Sequence, residues 1–187
     1  MDSNKEALIL GIDPGSVNAG YALIKCSGKN FQLIKSGTCK LKQSKDFFSR
    51  ISELNEYFEK LVEGMPPYEL ALETLIHVKN VNSLAKLAQA RGAIISAVSK
   101  TAVSISEYSP NLIKSTVSGY GLSSKQSLEK SLSFIFPDHK FETHDESDAL
   151  AIALCHSFRR GAVGVSGQAQ SGKTSGRSLK DSFKHLK

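Results

Sequence analysis

The stretch Leu8-Ile9-Leu10-Gly11-Ile12-Asp13-Pro14-Gly15 constrains this chain more than any other. An apolar run of this length reads as a buried strand, and it ends in an acid just before a Pro-Gly turn. An aspartate at the rim of a buried strand is desolvated at a cost unless something positive faces it. A turn aspartate capping local amides would give the same pattern. Three further acids, however, occupy comparable places. Glu73 closes a second apolar stretch, Leu70-Ala71-Leu72, and Asp145 and Asp148 open the last well-patterned helix.

Periodicity places these acids in an α/β chain. Strands are expected over 7–13, 19–25 and 31–41, joined by short turns into an antiparallel meander. Phe47, Phe48, Ile51, Leu54, Phe58, Leu61 and Val62 recur at helical spacing, and Gly64 with Pro66-Pro67 stops that helix. A fourth strand over 69–73 precedes a helix over 81–100 that is apolar nearly all round. Such a helix is covered on more than one side, by the sheet and by a second subunit. A fifth strand follows over 102–107. Ser109-Pro110 caps a short helix through Val117, and Ser123 with Gln126 forms a capping box for another through Ile135. The final helix is expected over 146–159. The fold class is a mixed five-stranded sheet flanked by helices.

At 187 residues the chain is sized for one domain, here 1–160, and no apolar run is long enough to span a bilayer. Cys26, Cys39 and Cys155 lack C-x-x-C spacing, which fits a reduced cytoplasm better than a disulfide framework or a zinc site. The absence of a signal-peptide pattern points the same way. The formal charge of +6 favours a polyanionic partner. Beyond residue 160, however, five bases face one acid, a balance of +4, which leaves only +2 for the body. The stretch 161–187, rich in Gly, Ser, Gln and Lys, is expected to be a disordered basic tail that adds salt-sensitive affinity.

Ligands of α/β sheets collect beyond the carboxyl ends of parallel strands, where Asp13 and Glu73 are expected. Asp145 and Asp148, spaced i, i+3, share one helical face. Four carboxylates brought together repel one another and suit hard cations such as Mg²⁺ or Mn²⁺. Two such ions about 3.5–4 Å apart activate a water and stabilise the leaving oxygen of a phosphodiester. Spacing by itself does not establish that the four meet.

A resemblance supplies that proximity. Leu10-Gly11-Ile12-Asp13-Pro14-Gly15 with Gly20, Glu73 with Lys79-Asn80, and Ala90-Arg91-Gly92 resemble the RuvC family of Holliday-junction resolvases. Glu107-Tyr108, Lys114, Gly119-x-Gly121-x-x-x-Lys125 and Asp145-x-x-Asp148-Ala149-Leu150-Ala151-Ile152-Ala153 extend the likeness in family order over residues 8–158. The resemblance implies a ribonuclease H-like fold, a symmetric homodimer, and Mg²⁺-dependent paired nicks in like-polarity strands of a four-way DNA junction. It also implies RuvA and RuvB branch-migration proteins as partners.

By position, the resemblance makes Asp13, Glu73, Asp145 and Asp148 the metal ligands, with two ions per subunit. It makes Lys114 and Lys125 the basic contacts to DNA, with Ile76, Lys79 and Arg91 also at the DNA interface. A lysine in the first turn of a helix opposes the dipole, so Lys125 is not there for helix stability. Ile76 stands where the family often has an aromatic residue. An isoleucine wedges between bases but offers no stacking surface. His144 and Glu146 crowd the last acidic cluster, with His144 read as a neighbour and not a ligand.

Other readings carry less. Gly167–Thr174 matches the P-loop pattern but lacks a flanking strand and helix. Gly11-Ile12-Asp13-x-Gly15 resembles the phosphate loop of actin-like ATPases, which need two related domains. The alternatives kept open are another ribonuclease H-like nuclease acting on structured RNA, and a non-catalytic junction-binding protein. Acids at all four positions weigh against the latter, because unpaired carboxylates facing a phosphate backbone weaken binding.

Overall fold

The computed structural model describes residues 6–43, 45–75, 80–121 and 124–160. Three strands, β1 (Ala7–Asp13), β2 (Asn18–Ser27) and β3 (Asn30–Lys40), form the expected meander. Gly28 supplies the positive φ of the β2–β3 turn. Helix α1 (Phe47–Val62) leads to β4 (Tyr68–Glu73), α2 (Val81–Val98) and β5 (Ala102–Tyr108). Helices α3 (Pro110–Ser118), α4 (Lys125–Ile135) and α5 (His144–Arg159) complete the described chain. The sheet order is β3-β2-β1-β4-β5, with β4 parallel to both β1 and β5.

Strand parity sorts the core into two layers, because successive side chains leave opposite faces of a strand. On β1, Leu10 and Ile12 pack with Leu54 and Phe58 of α1 and with Ile94 and Val98 of α2. Ile9 packs on the other face with Leu150, Ala153 and Leu154 of α5 and with Leu128 and Leu132 of α4. On β4, Leu70 and Leu72 join the first layer and Ala71 the second. Each fully buried leucine, isoleucine or phenylalanine in these layers contributes roughly 1.5–3 kcal/mol.

Two helix starts differ from expectation. The cap of α4 is Ser124, whose Oγ accepts from the Ser127 amide, and Ser123 lies outside the described residues. Helix α5 begins two residues early, because Thr143 Oγ1 accepts the Glu146 amide and places His144 and Asp145 inside the helix. The proposed tail, 161–187, and its P-loop-like sequence lie outside the described residues.

At the amino end of β4, Glu69 is clamped to α5 and the residue after it. It accepts from His156 Nε2 at 2.7 Å and from Arg160 Nη2 at 2.8 Å. With Nε2–H given to Glu69, His156 Nδ1 accepts from the Tyr108 hydroxyl at 2.7 Å. Burial pushes the Glu69 carboxyl up, but hydrogen bonds from His156 and Arg160 and the Arg160 charge outweigh it and hold the pKa down at about 2. A depressed carboxylate stabilises the fold above its unfolded pKa, and that stability disappears as pH falls from about 4.5 towards about 2. The scale is on the order of 3 kcal/mol. Glu69→Gln should therefore lower Tm at pH 7 and flatten the acid branch of the Tm–pH curve in that window. Parallel curves for variant and wild type through the window would show that the clamp contributes nothing.

Candidate active site

Parity also aims the acids. Asp13 continues the Ile9–Gly11 side of β1, and Glu73 continues the Glu69–Ala71 side of β4, so both face α5. The last registered pair of the two strands is Ile12 with Leu72, one residue short of the acids. Asp13 and Glu73 thus leave the same end of adjacent parallel strands.

Helix α5 is brought to them by two glycines. Gly20 is the β2 partner of Asp13, and a Cβ built on it would lie 1.8 Å from the carbonyl oxygen of Asp145. On Gly11 a Cβ would lie 2.3 Å from the carbonyl oxygen of Ala149. The helix backbone rests directly on the bare strands, and this close approach sets Asp145 and Asp148 over Asp13 and Glu73. A clasp on β3 secures the same helix end. Ser36 Oγ donates to Glu146 Oε1 at 2.6 Å, His139 Nε2 lies 3.0 Å from it, and the Glu142 amide bonds Oε2 at 2.9 Å. The Thr38 and Thr143 hydroxyls bond each other alongside.

The electrostatics register the convergence. Burial first, then the charges of Asp148, Glu73 and Asp145, push Asp13 up to about 7. Burial and Asp148 raise Glu73, opposed by Lys114, Lys125 and Arg91. Lys125 Nζ lies 3.1 Å from Asp148 Oδ2, and that hydrogen bond raises the lysine. Negative charge thus exceeds what the local lysines neutralise. Among the described residues no three acid, histidine or cysteine side chains are already drawn into a coordination cluster. The donor set, all carboxylate oxygens short of positive charge, is nevertheless the chemistry that fits a hard divalent cation.

The structure sorts the remaining residues. Glu146 is buried in the β3 clasp and points away from the four acids. His144 Nδ1 pairs with Glu129 Oε1 at 2.6 Å on α4. Arg91 has a side chain only 6% exposed that bonds the Glu73 carbonyl and Glu107. An apolar-coated helix hides its one inward cation from a periodicity argument. Ile76 and Lys79 lie outside the described residues. The β3 clasp had no sequence signal, since Ser36 and Thr38 lie more than a hundred residues from Glu146 and Thr143 in the chain. Gly20 had one, as an isolated motif glycine.

A mixed sheet in the order β3-β2-β1-β4-β5, with acids at the ends of β1 and β4 and on the covering helix, defines a ribonuclease H-like nuclease fold. The family model described as crossover junction endodeoxyribonuclease RuvC matches residues 9–156, and the chain belongs to that family. It is 34% identical over 155 residues to the crossover junction endodeoxyribonuclease RuvC of Brucella suis, covering 83% of this chain and 90% of that protein. The corresponding protein of Sinorhizobium fredii is 35% identical over 155 residues, covering 83% and 91%. Among solved structures, RuvC of Thermus thermophilus superposes with a TM-score of 0.72 at 23% identity, covering 82% of this chain and 95% of that one. The T. thermophilus RuvC in complex with Holliday junction substrate gives 0.76 at 22% identity, covering 82% and 94%. These two likenesses establish the fold.

Proposed function

We propose that this chain resolves four-way DNA junctions by paired, symmetric nicks in strands of like polarity, using Asp13, Glu73, Asp145 and Asp148 to hold two Mg²⁺ ions, with Mn²⁺ able to substitute. The observation that carries this reading is the convergence of four carboxylates, with Asp13 held near neutrality, in a chain of the RuvC family. When bound, such ions activate water and stabilise the leaving oxygen of a phosphodiester. The protein's own part is to hold four oxygen donors on two strand ends and one helix face. Lys114 and Lys125 place positive charge at the rim, where the backbone phosphate approaches.

Paired nicks require two such sites, which a homodimer provides. The outward part of α2, where Val81 is 71% exposed and Ala85 and Ala88 are also exposed, supports a second copy docking there. RuvA and RuvB act as partners in this reading, and the setting is the cytoplasm. Among the described residues no helix is long and apolar enough to cross a membrane.

The test is nicking of an end-labelled four-way junction beside linear duplex and a structured RNA, with Mg²⁺ and with chelator. Symmetric junction nicks that vanish with chelator support the proposal. Junctions bound but intact under every divalent cation would make this a binding module, and preferential RNA cutting would make it another ribonuclease H-like nuclease.

A further inference from the structure

Arg91 lies on α2, which packs on the sheet face opposite α5, yet its guanidinium reaches the strand end that carries Glu73. Nη1 donates to the main-chain carbonyl of Glu73 at 2.5 Å, and Nη2 donates to Glu107 Oε1 at 2.5 Å. Glu107 sits on β5 opposite Leu72, the residue before Glu73. One planar group therefore spans α2, β4 and β5 just where β4 ends. Beside it the Thr74 amide donates to the Tyr108 carbonyl at 2.9 Å, which ties this strand end to β5.

A carbonyl held in this way fixes the backbone of Glu73 and hence the direction in which its side chain leaves the strand. Glu107 in turn holds the guanidinium. Its carboxylate is half exposed, at 53%, while the Arg91 side chain is nearly sealed, at 6%. A buried guanidinium left with no acceptor at this place would relax towards water or another group.

We propose that Arg91, anchored by Glu107, is a positioning residue that sets Glu73 for cation binding. This rests on the reading of Glu73 as a cation ligand. Lysine carries the charge but lacks the fork, so it cannot span the Glu73 carbonyl and Glu107 together. Glutamine at position 107 keeps an acceptor oxygen, and alanine does not.

The experiment compares the full chain with Arg91→Lys, Glu107→Ala and Glu107→Gln. Mn²⁺ affinity is read without DNA, from the spin-resonance signal of free Mn²⁺. The Mg²⁺ midpoint for junction nicking and Tm are measured alongside. Arg91→Lys and Glu107→Ala should each weaken Mn²⁺ binding and raise the Mg²⁺ midpoint by about tenfold, the lower end for groups that orient metal ligands. Glu107→Gln should stay within about twofold of wild type, and Glu107→Ala, a half-exposed site, should keep its Tm within about 2 °C. Unchanged Mn²⁺ affinity in both weakened variants overturns the proposal, as does a loss that appears only with a matching fall in Tm. A wild type that binds Mn²⁺ but leaves junctions whole would sink the junction reading, and the Mn²⁺ affinities would still decide the role of Arg91. A wild type that takes up no Mn²⁺ overturns both.

Discussion

Asp13→Asn should abolish junction nicking, by about a thousandfold or more, while junction binding persists and the protein becomes more heat-stable. The stability half follows from the sign of the shift. Burial, followed by the charges of Asp148, Glu73 and Asp145, raises Asp13 from 3.8 to about 7. A carboxyl whose folded pKa lies above its unfolded value stabilises the fold at low pH, and that stability is lost as pH rises through about 7. At pH 8 without divalent cations, wild type therefore carries an ionised carboxylate among like charges, and asparagine removes it. The variant's Tm should exceed that of wild type at pH 8, with the gap closing towards pH 4. Melting curves at the two pH values and a gel of end-labelled junction decide it. A variant that still nicks within tenfold of wild type, or that melts below it at pH 8, would show that Asp13 is not a strained member of the catalytic set.

Gly20→Ala should damage both fold and activity through a single methyl group. Its Cβ would stand 1.8 Å from the Asp145 carbonyl oxygen and 2.3 Å from the carbonyl carbon, so main chain must move away from main chain. Overpacking costs typically 1–3 kcal/mol, and a clash with no flexible side chain to yield belongs at about 3 kcal/mol or above. Movement of α5 takes Asp145 and Asp148 with it, and a shift of about 1 Å in a reacting group costs on the order of a hundredfold in rate. If Gly20→Ala nicks as fast as wild type, the tight seam between β2 and α5 does not place the acids.

Much of this arrangement was legible in the residues, for identifiable reasons. Alternation along Leu8–Asp13 and Glu69–Glu73 announced the strands, and parity from Ile9 and Ala71 could already have pointed Asp13 and Glu73 to one face. Their meeting with Asp145 and Asp148 was not legible from spacing, because it depends on a helix crossing two distant glycines. Only the family likeness supplied that contact beforehand. The anchoring of Arg91 was not legible because a buried cation is recognised by its partners, and Glu107 is sixteen residues away in a different strand. Glu146 looked like one acid among several until Ser36 and His139, more than a hundred residues apart from each other, were seen to enclose it with the Glu142 amide.

The pair formed by β4 and α5 carries opposite solutions at its two extremities. Near the start of the strand the protein completes its own charge balance, with Glu69 answered by His156 and Arg160. At the finish, roughly four residues or 13 Å along an extended strand, Glu73 faces the charge of Asp148, which together with burial raises its carboxyl. In the function proposed above, heat tolerance and turnover thereby fall at separate addresses on the same two elements. A lineage moving to a hotter habitat could reinforce the Glu69 end without disturbing the end we propose to hold cations.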